Sequence, residues 1–139
     1  MRPAGDERTP ADRLSRLVLA YDGSPYAEEA LYVAAHLAAT WEARLAATTV
    51  EETARTTSAT LDAALSYLRH QGIDARGFFK GAQSGPAGVA RSILHVALEQ
   101  GSDLLVLGDT GFSPFVELFV RSTFDHVLRE AGCSVMVCG

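Results

Sequence analysis

Short, nearly uninterrupted apolar runs alternate along this chain with longer stretches in which apolar residues recur every three or four positions. The first run, Arg16 to Tyr21 (RLVLAY), ends at Asp22-Gly23 and reads as a strand buried on both faces. Ser24 is placed to cap a helix with Pro25 at its first position, and Ala27, Ala30, Leu31, Ala34 and Leu37 form its apolar stripe. Arg44 to Val50 reads as a second strand. Leu61, Ala64, Leu65 and Leu68 line a second helix that Gly72 should terminate. A third strand is expected at about Ile73 to Phe79. Pro86 opens a third helix carrying Val89, Ile93, Val96 and Ala97, and Gly101 sits where a left-handed cap belongs. Asp103 to Leu107 is the expected fourth strand, Phe124, Val127, Leu128 and Ala131 the stripe of a fourth helix, and Ser134 to Cys138 (SVMVC) the fifth strand.

Alternation of continuously apolar strands with amphipathic helices predicts a doubly wound α/β domain: a five-stranded parallel sheet with helices on both faces. In that architecture ligands sit beyond the carboxyl ends of the strands, where the winding direction switches. The loops after strands one and four therefore carry the candidate chemistry.

At 139 residues the chain is expected to form one domain over 12–139, preceded by a mobile tail over 1–11 whose Pro, Gly and charges show no periodicity. Seventeen acidic against twelve basic residues give a net charge of −5, opposite to the footprint of a nucleic-acid binder. Lys80 is the sole lysine, so the GK[ST] of a phosphate loop is missing. The charged opening segment does not read as a signal peptide, and no apolar run approaches membrane-spanning length. Cytoplasm is the expected compartment, with no membrane insertion. Two cysteines, Cys133 and Cys138, define no disulfide framework, and their odd spacing across one strand points them to opposite faces. His36, His70, His95 and His126 show no metal-ligand spacing, so no metal site is expected.

In the first loop, Asp22 is a carboxylate at a strand's carboxyl end beside a helix N-terminus. It suits a ribose hydroxyl, or equally a turn in which Asp bonds its own backbone. The second loop, Gly108-Asp109-Thr110-Gly111, is followed by Arg121-Ser122-Thr123 at the expected start of the last helix. Glycines let backbone N–H groups approach phosphate, and a helix N-terminus adds free donors and partial positive charge. Ser122-Thr123-Phe124-Asp125 also reads as a capping box, which accounts for Ser122 without a ligand.

The strand DLLVLG, the glycine spacing after it, the later Ser-Thr, and the closing AGCSVMV resemble the universal stress protein family. So do RLVLAYDGSPYAEEAL and GPAGVARSILHVALEQGSDLLVLG, and the resemblance covers about residues 14 to 139. It implies a Rossmann-like, adenine-nucleotide alpha hydrolase-like fold. Nucleotide-binding members carry G-x2-G-x9-G-[ST] around the phosphates of ATP. Gly108, Gly111 and Ser122 match that motif, and Arg121 stands in place of its third glycine. The resemblance further assigns Asp22 to the nucleoside, the Val50 backbone to adenine, and Gly108, Gly111, Arg121, Ser122 and Thr123 to the phosphates, with magnesium accompanying ATP if it binds. It also implies a homodimer paired through the last strand, 134–138, an apolar edge that needs covering.

Arg121 opens three outcomes. Its β-carbon disfavours the backbone conformation a glycine would adopt; its guanidinium could grip phosphate; or it could pair with Asp109 and close the loop. Asp109 itself would repel a phosphate by roughly 1–4 kcal/mol at about 4 Å. The apolar link Pro114 to Val120 (PFVELFV) reads as a short packed helix, or as a segment whose Phe115 or Phe119 fills the pocket or meets a regulatory protein partner. A response-regulator receiver would need an acidic pair after strand one and a lysine near strand five. A flavodoxin would need a Ser/Thr-rich loop where DGSPYAEE stands. No nucleophile, base and orienting group can be assembled, so no catalysis is expected. The expectation is a cytoplasmic, dimeric stress-response regulatory protein with degenerate or weak ATP binding. The alternatives are a competent adenine-nucleotide sensor and a protein-docking module without ligand.

Overall fold

The computed structural model describes residues 14–51, 57–82, 88–108 and 131–139. Five strands, β1 (Arg16–Ala20), β2 (Arg44–Glu51), β3 (Arg76–Gly81), β4 (Leu104–Gly108) and β5 (Ser134–Cys138), form one sheet in the order β3-β2-β1-β4-β5. Every adjacent pair is parallel. Three described helices accompany them: α1 (Pro25–Trp41), α2 (Ser58–His70) and α3 (Gly88–Glu99). The expected last helix lies outside the described residues except for Ala131, which is not helical, and the tail over 1–11 and Pro86 lie outside them too.

Local chemistry explains the helix ends. Ser24 is extended (φ −72, ψ 162) and its Oγ accepts the Ala27 N–H at 3.2 Å, with Pro25 following. Helix α2 stops at Gly72 (φ 79), whose left-handed turn lets the Ile73 N–H donate to the Leu68 carbonyl at 2.9 Å. Gly101 (φ 63) does the same for α3, with the Ser102 N–H donating to the Ala97 carbonyl at 2.9 Å.

Side-chain alternation along the strands splits the core in two. Leu17, Leu19, Leu45, Ala47, Leu104 and Val106 pack under α1 and α2, whose Ala27, Ala30, Leu31, Ala34, Leu61, Ala64 and Leu68 are buried. Val18, Ala46, Val50, Leu105 and Leu107 pack under Ala90, Ile93 and Val96 of α3. Helices thus cover both faces. The half-buried Cys138 packs on the α1/α2 side and Cys133 on the α3 side, on opposite faces as expected. Leu37 is only partly buried, its place in the stripe taken by Ala35 and Ala38.

Strand β3 departs from expectation, running Arg76–Gly81 rather than Ile73–Phe79. Ile73 and Ala75 are apolar because they pack against the α1/α2 core while the chain leaves Gly72. The ladder begins only where Arg76 comes level with Ala46. Strand β4 likewise starts one residue late. Asp103 turns its Oδ2 to the backbone N–H groups of Ser15 (2.9 Å) and Arg16 (3.0 Å), pinning the entry of β1.

Candidate functional site

The winding direction reverses between β1 and β4, so their carboxyl ends open a crevice at the switch point. Three of the expected site residues converge there from successive strands: Val50 at the end of β2, Asp22 just past β1, and Gly108 closing β4.

Asp22 does what the backbone reading of it required. Its Oδ1 accepts the Ser24 N–H at 3.0 Å, forming an Asx turn that sets the approach to α1. Gly23 takes φ 80, a conformation glycine adopts without penalty, and a β-carbon there would stand 3.2 Å from Thr60 Cγ2. Among the described residues Asp22 Oδ2 has no hydrogen-bond partner, so the carboxylate keeps one oxygen for a further donor.

Val50 is buried by side chain, but its backbone faces the crevice. The Thr48 carbonyl accepts the Tyr21 N–H at 2.9 Å, so Thr48 turns its backbone toward β1. In a parallel ladder this orientation alternates residue by residue. Val50 therefore turns the same way as Thr48, past Ala20, where β1 ends. The neighbouring buried Thr49 donates its hydroxyl to the Tyr21 carbonyl at 2.8 Å, locking the strand ends together just below the opening.

Gly108 faces α1, and a β-carbon on it would lie 2.5 Å from the Tyr26 carbonyl oxygen and 2.6 Å from the Ala27 nitrogen. The first turn of α1 presses directly on the end of β4, which only glycine permits. The spacing of Gly108 with Gly111 suggested phosphate contact; the structure supplies a packing reason that sequence reasoning missed. With adjacent strands about 4.8 Å apart, Val50 and Gly108 stand roughly 10 Å from one another across β1.

Tyr21 packs on the same side beneath α1. Burial, with the negative charges of Glu28 and Asp22 nearby, pushes its phenol above the ordinary value and keeps it a neutral donor. Burial also raises both thiols, Cys133 and Cys138, which suits packing rather than nucleophilic attack. Gly111, Arg121, Ser122 and Thr123 lie outside the described residues, as do Asp109, the Pro114 to Val120 link and His126. Among the described residues no group of three or more His, Cys, Asp or Glu could hold a metal ion, and no helix is long and apolar enough to cross a membrane.

Residues 87–139 match the model of the universal stress protein family. The whole described fold is similar to solved structures of that family. A universal stress protein from Burkholderia pseudomallei shares 25% identity at a TM-score of 0.70, covering 92% of this chain and 98% of that one. A universal stress protein solved in complex with cAMP also shares 25% identity at a TM-score of 0.70, covering 90% of this chain and 96% of that one. One from Archaeoglobus fulgidus, in complex with dAMP, shares the fold at 19% identity and a TM-score of 0.65, covering 91% of this chain and 98% of that one. No curated protein matches the chain significantly.

Proposed function

We propose that the chain, similar to universal stress proteins over its fold and matched by that family's model over residues 87–139, is a stress-response regulatory protein whose switch-point crevice takes an adenine nucleotide weakly, without catalysis. The observation that carries this reading is the convergence of the Val50 backbone edge, the remaining Asp22 oxygen and Gly108 on one crevice. An outward-turned N–H and C=O suit the donor and acceptor edge of adenine, and a carboxylate oxygen suits a ribose hydroxyl. Two similar proteins were solved with cAMP and dAMP, which favours the adenine nucleoside as the recognised part.

The nucleoside half of the crevice fits such a ligand. The phosphate half rests on Gly111, Arg121, Ser122 and Thr123. Arg121 replaces the third glycine of the motif, so backbone approach to a triphosphate is hindered and ATP with magnesium binds weakly.

Calorimetric titration with ATP, with and without magnesium, tests the reading. Affinity weaker than micromolar is expected, improving about tenfold in Arg121→Gly. Micromolar binding by the unaltered chain would instead make it a competent sensor, and loss of affinity in Arg121→Gly would make the guanidinium a phosphate ligand. No binding by either form, with no thermal stabilisation at millimolar ATP, would leave a protein-docking module.

The reading includes a cytoplasmic homodimer. Strand β5 is an edge of the sheet, and its Val137 remains exposed, which favours pairing with a second copy. Light scattering at micromolar concentration should give twice the chain mass; a monomer mass would refute it.

A further inference from the structure

Strands β1, β2 and β3 each open on an arginine, at the end of the sheet opposite the crevice. Arg16 and Arg44 are level across the β1–β2 ladder, and Arg76 is level with Ala46, two residues beyond Arg44. Strand alternation puts all three on the face that carries Val18, Ala46 and Phe78, under α3. There, solvent-exposed, they line a half-open surface recess of about 490 Å³ together with Asp74, Glu99 and Gln100.

The charge of this recess runs against that of the chain. Among the described residues, none of the three guanidiniums lies within ion-pair distance of a carboxylate. Glu99 stands 3.3 Å from His95 Nε2 on its own helix. Asp103, at the same end, spends its Oδ2 on the Ser15 and Arg16 backbone and the Ser15 hydroxyl. Like charges directly opposite on neighbouring strands destabilise a sheet unless something compensates them.

The negative end of α3 accounts for one arginine. A β-carbon on Gly101 would sit 2.8 Å from an Arg16 guanidinium nitrogen, so that side chain lies against the helix terminus, where a cation is favourable. Arg44 and Arg76 stand one and two strands further along. Arg76 holds its guanidinium 5.6 Å from the Phe78 ring centroid, a contact that orients the fork without neutralising it.

We propose that this recess is a second binding site, for a small metabolite carrying two phosphoryl groups on a hydroxylated skeleton. Guanidinium forks match phosphate oxygens bidentately. Their stems, spread over three strands, span roughly 10 Å, which suits two separated anionic groups better than one. Asp74 and Glu99, lining the same recess, are the carboxylates that would accept from the ligand's hydroxyls.

Amide NMR titration of the full chain with fructose bisphosphate, and separately with inorganic phosphate, tests this. Saturable shifts are expected around Arg16, Arg44 and Arg76, with the bisphosphate binding about tenfold or more tightly than phosphate. The Arg44→Gln/Arg76→Gln double variant should lose about tenfold or more in affinity while its ATP titration is unchanged. If the double variant fails to fold, Arg76→Gln alone, on the edge strand, should still weaken binding. Absence of saturation at millimolar bisphosphate, unchanged affinity in the variants, or shifts confined to Asp22, Val50 and Gly108 would overturn the proposal. Because the two sites sit at opposite ends of the sheet, failure here leaves the nucleotide reading standing, and the reverse holds.

Discussion

Replacing Gly108 by alanine separates a packing role from a ligand role. The added β-carbon would stand 2.5 Å from the Tyr26 carbonyl oxygen and 2.6 Å from the Ala27 nitrogen. That is roughly 1 Å inside the separation at which non-bonded atoms attract. Both neighbours are backbone in the first turn of α1, so relief requires moving a helix whose Ala27, Ala30 and Ala34 are buried. Overpacking of this kind costs about 1–3 kcal/mol, and a rigid neighbour places it near the top. Alanine in place of glycine returns about 0.4–1 kcal/mol through the unfolded chain, leaving a net loss of about 2 kcal/mol. For this chain length that lowers the melting temperature by about 8 °C.

Gly77→Ala is the matched control. Its β-carbon would come equally close, 2.5 Å, but to Leu65 Cδ1, the far end of a side chain that can rotate away. Its cost should stay below about 1 kcal/mol. Thermal unfolding followed by circular dichroism, with urea midpoints as a second measure, compares the two. A Gly108→Ala melting temperature within about 1 °C of the parent, or a Gly77→Ala loss as large, would refute the close-approach argument. It would leave Gly108 a glycine for its ligand alone.

Ser24→Ala removes the cap of α1 and should cost about 1 kcal/mol, whereas Ser24→Asp should retain most of it; equal losses in urea unfolding would show that the hydroxyl is not the cap. Thr49→Val strips the Tyr21 carbonyl of its 2.8 Å donor in a buried setting and should cost about 1–2 kcal/mol, with no effect contradicting that hydrogen bond. Burial raises Cys133, Cys138 and Tyr21 above their ordinary values, so the folded chain holds these protons more tightly than the unfolded one. Their contribution is complete below the ordinary thiol value of about 8.5 and is lost as pH rises through the raised folded values. Urea midpoints should fall above about pH 9, and a rise there would contradict the assignment. At neutral pH both thiols should react with alkylating reagents more slowly than a cysteine peptide, a rate at or above the peptide's being the contrary result.

What the sequence determined by itself is what neighbours within one turn can encode. Ser24-Pro25 announces the start of α1, Gly72 and Gly101 announce helix ends, and SVMVC announces β5, because caps, left-handed turns and apolar runs act over a few residues. The apolar runs placed Asp22, Val50 and Gly108 at strand ends, the family resemblance gave them ligand roles, and the strand order β3-β2-β1-β4-β5 brings them to one crevice. Tertiary structure alone decided the rest. Ile73 looks like strand yet packs as loop, because the ladder starts where Arg76 meets β2. Gly108, which the resemblance assigns to phosphate, also answers to the backbone of α1, some eighty residues earlier in the chain. The leading arginines of β1, β2 and β3 are plain in the sequence, each before an apolar or aromatic run. Only parallel register, fixed by burial of both sheet faces, makes them neighbours around one recess, because contacts between distant segments are set by how the layers pack.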